Sequence, residues 1–330
     1  MANTSSKLKI LYVLEILKQY SDENHPLNAA DIIEKLAEYG MNAERKSVYT
    51  DIELLCDFGF DIIKSTSPKG WFLASRELEA AEVYMLADAV RSAKFISAKK
   101  TRELVDKLYS ELSVFEAKRN KDAVYFSLSG KCDNESIYYN IDKINEAIKE
   151  GKQIKFVYTV RTIDDNRNII KKSKEMIINP YALAWEDDCY YLLGNHIKYD
   201  NLIHLRLDRI SKAEVLKQKA RHFCEVSEYK EKFDVADYVN KLFGMHTGEQ
   251  TVIELKCDKS IAEPVLDRFG EDIFIKNETE KDFSFNAKAV LSNALVTWII
   301  NYSDKIEVKK PENLKEMIKE RALSVLKIYE

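Results

Sequence analysis

The sequence predicts an α+β chain assembled from several domains. Three observations predict it. Short helical stripes followed by a strand pair occupy the first 76 residues. A Tyr-, Ile- and Leu-rich stretch from Met176 to Ile210 is broken by polar turns and fits no helical period, so it reads as antiparallel strands. After residue 221, strand and helix signals alternate. A length of 330 residues with 45% apolar and 32% charged side chains suits two or three globular domains.

The first helix is expected over residues 5–20, with Leu8, Leu11, Tyr12, Leu14, Ile16 and Leu17 largely on one stripe. Asn28 should cap a second helix that buries Ala29, Ile32, Ile33, Leu36 and Ala37 and stops at Gly40. A third runs from Ala43 or Glu44 to about Asp57 with Val48, Ile52, Leu55 and Cys56 inward. Asp61–Lys64 and Gly70–Leu73 then form a hairpin. Three short helices and a hairpin make a winged helix-turn-helix, whose third helix enters the major groove while the hairpin touches backbone. Arg45, Lys46, Ser47, Tyr49 and Thr50 are the polar members of that helix not needed for a core, and Lys69 is the candidate contact on the wing. The charge count opposes this reading. Through Ser75 there are 8 Lys/Arg against 11 Asp/Glu, whereas DNA affinity normally rests on a basic surface.

Helices over Glu77–Phe95 and Ala98–Leu112 read as a spacer, or as a relay or dimer surface. A short strand-like run covers residues 123–128, and a helix covers Asp142–Lys149, closed by Gly151. Residues 151–220 suggest a small barrel in which Ile154, Phe156, Tyr158 and Val160 alternate with polar or outward positions. At its end Ile203, Leu205 and Leu207 face one way, and His204, Arg206 and Asp208 the other. This span carries 13 Lys/Arg against 9 Asp/Glu in a chain of net charge −4, a local hint of an anionic ligand. Arg206 either binds that ligand or pairs with a carboxylate such as Asp208. Beyond residue 221 the order strand, helix, two strands, helix suggests a ferredoxin-like α+β unit, closed by a helix from Pro311 to Tyr329.

Pro180-Tyr181, then Tyr190-Tyr191-Leu192, then Leu205-Arg206-Leu207-Asp208-Arg209-Ile210 resemble the WYL domain of bacterial transcriptional regulators. Tyr190 stands where the name-giving triplet has Trp, a departure that keeps the aromatic ring. The order Ser-Val-Tyr-x-Asp-Ile-Glu-x-Leu from Ser47 is similar to the recognition helix that precedes such domains. The C-terminal unit resembles the WCX extension that follows them. The resemblance implies a winged domain over 1–76, a helical linker over 77–135, a small Sm-like WYL barrel over 136–220 and a WCX-like domain over 221–330. It further implies a cytoplasmic homodimer that binds double-stranded operator DNA, with a nucleotide or short single-stranded nucleic acid as effector. The resemblance also suggests a repressor acting in DNA-damage or phage-defence control. Tyr158, Tyr181, Tyr190, Tyr191, Arg206 and Arg209 are the effector positions carried over, with His204 added because it shares a face with Arg206.

Other classes find little support. The five cysteines are scattered and form no CxxC pair, which favours a reducing compartment, and no cofactor or metal is expected. His222-Phe223-Cys224 is a lone close pair. Asp164-Asp165 and Asp187-Asp188 fall in turns, where Asp serves the backbone. No glycine-rich phosphate loop or nucleophile elbow occurs, so no enzyme is expected. The longest uncharged run, Ala289–Ser303, has 15 residues, too few to span a bilayer. The competing reading is an adaptor whose winged domain docks protein instead of DNA.

Overall fold

The structure, a computed structural model, describes residues 6–119 and 131–330. The chain divides into two compact units, residues 1–133 and 134–330. The strand-like run at 123–128 lies outside the described residues.

In the first unit, α1 (Ser6–Tyr20), α2 (Ala29–Glu38) and α3 (Arg45–Phe58) pack on one another, and β1 (Ile62–Thr66) pairs antiparallel with β2 (Lys69–Leu73). Asn28 starts α2 as expected: its side chain accepts from the amides of Ala30 and Asp31, and the Asp31 carboxylate accepts from the Asn28 amide. Gly59 ends α3 with a φ of 116°, which a side chain would resist. The core is Val13, Ile16, Leu17, Ile32, Leu36, Val48, Ile52 and Leu55. Three sequence expectations fail, the first being Ala37, which is exposed on α2 rather than buried. Leu8 and Leu11 are exposed, and Val13 takes their place inside. Cys56 is exposed, and Asp51 is buried instead, one turn before Leu55. Asp51 is tolerated because Lys9 of α1 reaches it at 2.7 Å, so the buried carboxylate is paired. Then come α4 (Ala80–Ser92), α5 (Ala98–Tyr109) and the unexpected α6 (Val114–Arg119). Ser113, just before α6, donates to Asp22 at 2.7 Å.

The second unit begins with α7 (Ile137–Glu150), three residues into which Asn140 is buried and donates to the Ile210 carbonyl at 2.8 Å. Five antiparallel strands follow: β3 (Lys152–Ile163), β4 (Ile169–Glu186), β5 (Cys189–His196), β6 (Leu202–Arg206) and β7 (Ile210–Lys219). Their order is β6-β5-β4-β3-β7. A barrel would need the two edges to pair. Among the described residues β6 and β7 do not, so the expected barrel is an open, bulged sheet. The strand expected to run to Asp208 stops at Arg206. Leu207–Arg209 forms a 3₁₀ turn, which lets the chain swing from one edge of the sheet to the other. Leu207 is fully buried in that turn.

The remaining elements are α8 (Val235–Asn240), β8 (Gln250–Asp258), α9 (Ala262–Phe269), β9 (Ile275–Glu278), β10 (Asp282–Val290), α10 (Asn293–Asn301), β11 (Ile306–Lys310) and α11 (Glu312–Tyr329). The four strands form an antiparallel sheet in the order β11-β8-β10-β9. Its core is Leu255, Phe285, Val265, Leu295, Ile299 and Leu314. Strand β11 escapes sequence reading because only Ile306 and Val308 point inward, and three of its five residues are charged. Among the described residues no helix is long and apolar enough to cross a membrane.

Candidate functional site

Two regions collect the residues singled out by sequence, one in each unit. In the first unit, β2 carries the decisive contact. Leu27, just before α2, pairs with Trp71 through two backbone hydrogen bonds of 2.8 Å each. This fastens the start of α2 to the hairpin. Gly70 makes it possible: a Cβ there would lie 2.7 Å from the Leu27 carbonyl carbon and oxygen. Trp71 in turn meets the Tyr49 ring edge-on at 5.0 Å, and the Arg45 guanidinium sits 5.9 Å from the centre of that same ring. In the hairpin register Lys64 opposes Trp71, and Thr66 opposes Lys69. With a period of two, Lys64 and Lys69 therefore share a face with Trp71. The result is a cleft of about 470 Å³ lined by the start of α2, by Arg45 and Tyr49 of α3, and by Lys64 and Lys69 of the hairpin.

The sequence candidates in this unit divide by exposure. Arg45, Lys46, Thr50 and Lys69 are exposed. Ser47 is half-buried and accepts from the Lys9 ammonium. Tyr49 is half-buried against Trp71, and the Thr50 hydroxyl donates to the Lys46 carbonyl at 3.2 Å. Lys64 was missed. The register would have found it, because it stands two residues before Thr66 on the strand facing Lys69.

In the second unit the relevant surface is one face of the β4-β5-β6 sheet. Cross-strand pairs Ala184–Tyr191, Ala182–Leu193, Leu193–His204 and Tyr191–Arg206 put Ala182, Ala184, Tyr191, Leu193, His204 and Arg206 on that face. A bulge between Pro180 and Ala182 turns Tyr181 to it as well. The face is not open. Residues 223–245 fold across it, with Phe223, Phe233, Tyr238, Leu242 and Met245 packing on Ala182, Leu193 and Tyr181. His204 lies beneath this cover. Its Nδ1 is 2.7 Å from the Met245 carbonyl oxygen, which can only accept, so Nδ1 carries the proton. Nε2 is then free to accept from the Tyr238 hydroxyl at 2.9 Å. Desolvation holds the His204 pKa below its ordinary 6.5. Burial likewise pushes the Tyr181 hydroxyl up to about 12, and no polar partner meets it among the described residues.

On the same face stands Arg206, partly exposed. Its Nε and one terminal nitrogen donate to the two oxygens of Asp208 at 3.0 and 2.8 Å, a bidentate pair that raises the guanidinium pKa. The Arg206 side chain is 32% exposed and that of Asp208 18%, so the pair is reachable from solvent. The Arg206 amide donates to the Tyr158 hydroxyl at 3.3 Å. Burial raises the neighbouring Tyr191 hydroxyl to about 12. The structure thus brings Tyr158, Tyr191 and Arg206 together and leaves Arg209 exposed on the adjoining turn. Tyr181 and His204 lie under the cover, against which Tyr191 also packs. Tyr190, on the opposite side of β5 from Tyr191, has its ring 6.4 Å from that of Trp185.

Residues 139–215 match the WYL domain. The match takes in most of α7, all of β3 to β6 and the first half of β7, so the Arg206 region lies wholly inside it. No curated protein matches the chain. Among solved structures, proteasome accessory factor B/C (PafBC) of Arthrobacter aurescens is similar at 14% identity and a TM-score of 0.28, too low to fix a shared fold. That similarity spans 96% of this chain and 47% of PafBC, so the chain covers about half the length of that protein. Among the described residues no cluster of three or more His, Cys, Asp or Glu side chains is placed to hold a metal, and all five cysteines are free thiols. Within the WYL domain, the buried amides Asn179 and Asn195 bond to each other at 2.9 Å, and Asn195 donates to the carbonyls of Tyr199 and Asn201 at 2.7 and 2.9 Å. This network fixes the β5–β6 turn and through it the position of β6, which carries Arg206.

Proposed function

We propose that the chain is a ligand-responsive transcriptional regulator. Its N-terminal unit is a winged helix-turn-helix that binds operator DNA, and its WYL domain binds an anionic effector, a nucleotide or short single-stranded nucleic acid. The observation that carries the DNA reading is the meeting of Arg45, Lys64 and Lys69 around one cleft, at the junction of α2, α3 and the hairpin. A net count of charges in this unit points against DNA, but affinity depends on where cations converge, not on their sum. Exposed Arg45 and Lys46 at the start of α3 supply positive charge where a recognition helix meets phosphates and base edges. Two copies acting as a homodimer would double these contacts across two half-sites.

Effector recognition rests on Arg206, Tyr158, Tyr191 and Arg209. The Arg206–Asp208 pair is a built-in competitor: an incoming phosphate must displace the carboxylate or share the guanidinium with it. The ferredoxin-like reading of the last unit is supported by its strand order, β11-β8-β10-β9. As a regulator, the chain does no chemistry of its own. The ligand acts only through a difference in affinity for two states of the DNA-reading unit. The test is an electrophoretic shift with DNA from upstream of the protein's own coding region. The wild type should retard it, and Arg45→Ala with Lys69→Ala should abolish the shift while circular dichroism stays the same. An unshifted duplex, or a double variant that shifts as well as the wild type, rejects the DNA reading in favour of an adaptor.

A further inference from the structure

The excess positive charge of the central span does not gather at Arg206. It lies on a projecting ribbon. Strand β7 pairs with β3 only as far as Tyr158, and β5 pairs with β4 only from Ile178 onward. Beyond those points β3 and β4 continue as a two-stranded arm, from Thr159 opposite Ser173 to Ile163 opposite Ile169. These five rungs span about 14 Å at the usual rise per residue. The arm from 159 to 174 carries Arg161, Arg167, Lys171, Lys172 and Lys174 against Asp164 and Asp165. All five cations are exposed. Asp164 is engaged by its own turn, accepting from the amides of Asn166 and Asn168 at 3.0 and 2.8 Å, so it is aimed away from the strands.

Folding alone does not account for this pattern. Arg161 stands directly opposite Lys171 in the ladder. None of the ion pairs among the described residues involves Lys171, Lys172 or Lys174. Adjacent strand residues alternate in direction, so Lys171 points to one face of the ribbon and Lys172 and Lys174 to the other. A ribbon basic on both faces fits a partner that offers anions on two sides. The walls of a duplex groove do so, and the major groove is wide enough for a two-stranded ribbon. A single strand is the poorer fit, because its binding leans on aromatic stacking and residues 159–174 contain no aromatic side chain.

We infer that the β3–β4 arm is a second, sequence-independent contact to double-stranded DNA, with Lys171, Lys172 and Lys174 meeting phosphates. It builds on the regulator reading above, and its test separates the two. Fluorescence anisotropy with a labelled duplex, repeated over a range of salt, compares three proteins: the wild type, Lys171→Gln with Lys172→Gln, and Arg45→Ala with Lys69→Ala. Because each phosphate contact contributes about 0.9 to the slope of log affinity against log salt, the arm variant should lower that slope by about 2. The loss should be equal on any duplex sequence. An arm variant with unchanged slope and affinity overturns the inference while the winged-domain variant still judges the regulator reading. Loss in the arm variant alone supports the arm and rejects the winged-domain contact. No binding by the wild type ends both. Sedimentation with phosphatidylserine-containing vesicles is the remaining arm: vesicle binding that depends on Lys171 and Lys172, with the duplex slope unaltered, assigns the ribbon to a membrane surface and overturns the DNA contact.

Discussion

Replacing Gly70 by Ala tests how the cleft at Arg45, Lys64 and Lys69 is built. The added Cβ would lie 2.7 Å from the Leu27 carbonyl carbon and oxygen and 2.9 Å from the Pro26 carbonyl carbon. Ordinary contact begins at 3.4 Å, so the two backbone segments must part by 3.4 − 2.7 = 0.7 Å. The two Leu27–Trp71 hydrogen bonds, each 2.8 Å, would then stretch to the limit of bonding. Each such bond is worth about 1 kcal/mol net, and an unsatisfied buried partner costs somewhat more. Trp71, which seats Tyr49 and so Arg45, must also shift. Together the loss should be about 2–4 kcal/mol, so exchange at the affected amides accelerates by roughly 30-fold to 1000-fold. Native-state hydrogen exchange of the Leu27 and Trp71 amides measures it directly. A change below about 0.5 kcal/mol would mean the segments part at little cost, and the proposed role of Gly70 in setting the cleft would be wrong.

The pH dependence of stability should carry a signature of His204. Its folded pKa lies below 6.5, so the unfolded chain binds the extra proton first; the stability this neutral ring contributes is full above pH 6.5 and drains away as pH falls toward the folded value. His196, also lowered by burial, adds in the same direction. The thermal midpoint should therefore fall on acidification through this range, and His204→Gln should flatten part of the fall; equal slopes in the two proteins would contradict the buried, neutral ring. Asp208→Asn removes the carboxylate that holds Arg206. Because the pair is partly exposed, stability should change by no more than about 1 kcal/mol. Affinity for a short single-stranded oligonucleotide, measured by calorimetry, should rise several-fold if that carboxylate competes with the effector, and Arg206→Ala should abolish binding.

Much of the fold was legible because local signals agreed. Asn28, Gly40, Gly59 and Gly151 mark helix ends where the structure has them, and the period-two runs around Tyr191 and Arg206 fall in strands. Errors arose where a distant partner decided the outcome. Asp51 takes an inward place because Lys9, 42 positions earlier, pairs with it. The His204 side of β6 looked like an exposed polar face because nothing near it in sequence announces that residues 223–245 cover it. The positive charge was correctly located in the central span but not within it. Only the strand pairings separate an arm bearing Lys171, Lys172 and Lys174 from the pocket at Arg206. Lys64 was overlooked because a single lysine on a short strand carries no signal until the register places it beside Lys69.

The proposed regulation requires communication between an anion held at Arg206 and DNA held at Arg45. The direct measurement is the affinity of the wild type for its upstream duplex in the absence and presence of saturating short oligonucleotide, repeated with Arg206→Ala. The expected coupling is about 5- to 150-fold in the wild type, the usual range for linked sites, and none in the variant. An upstream affinity that no oligonucleotide or nucleotide alters, or one altered equally in Arg206→Ala, would contradict it.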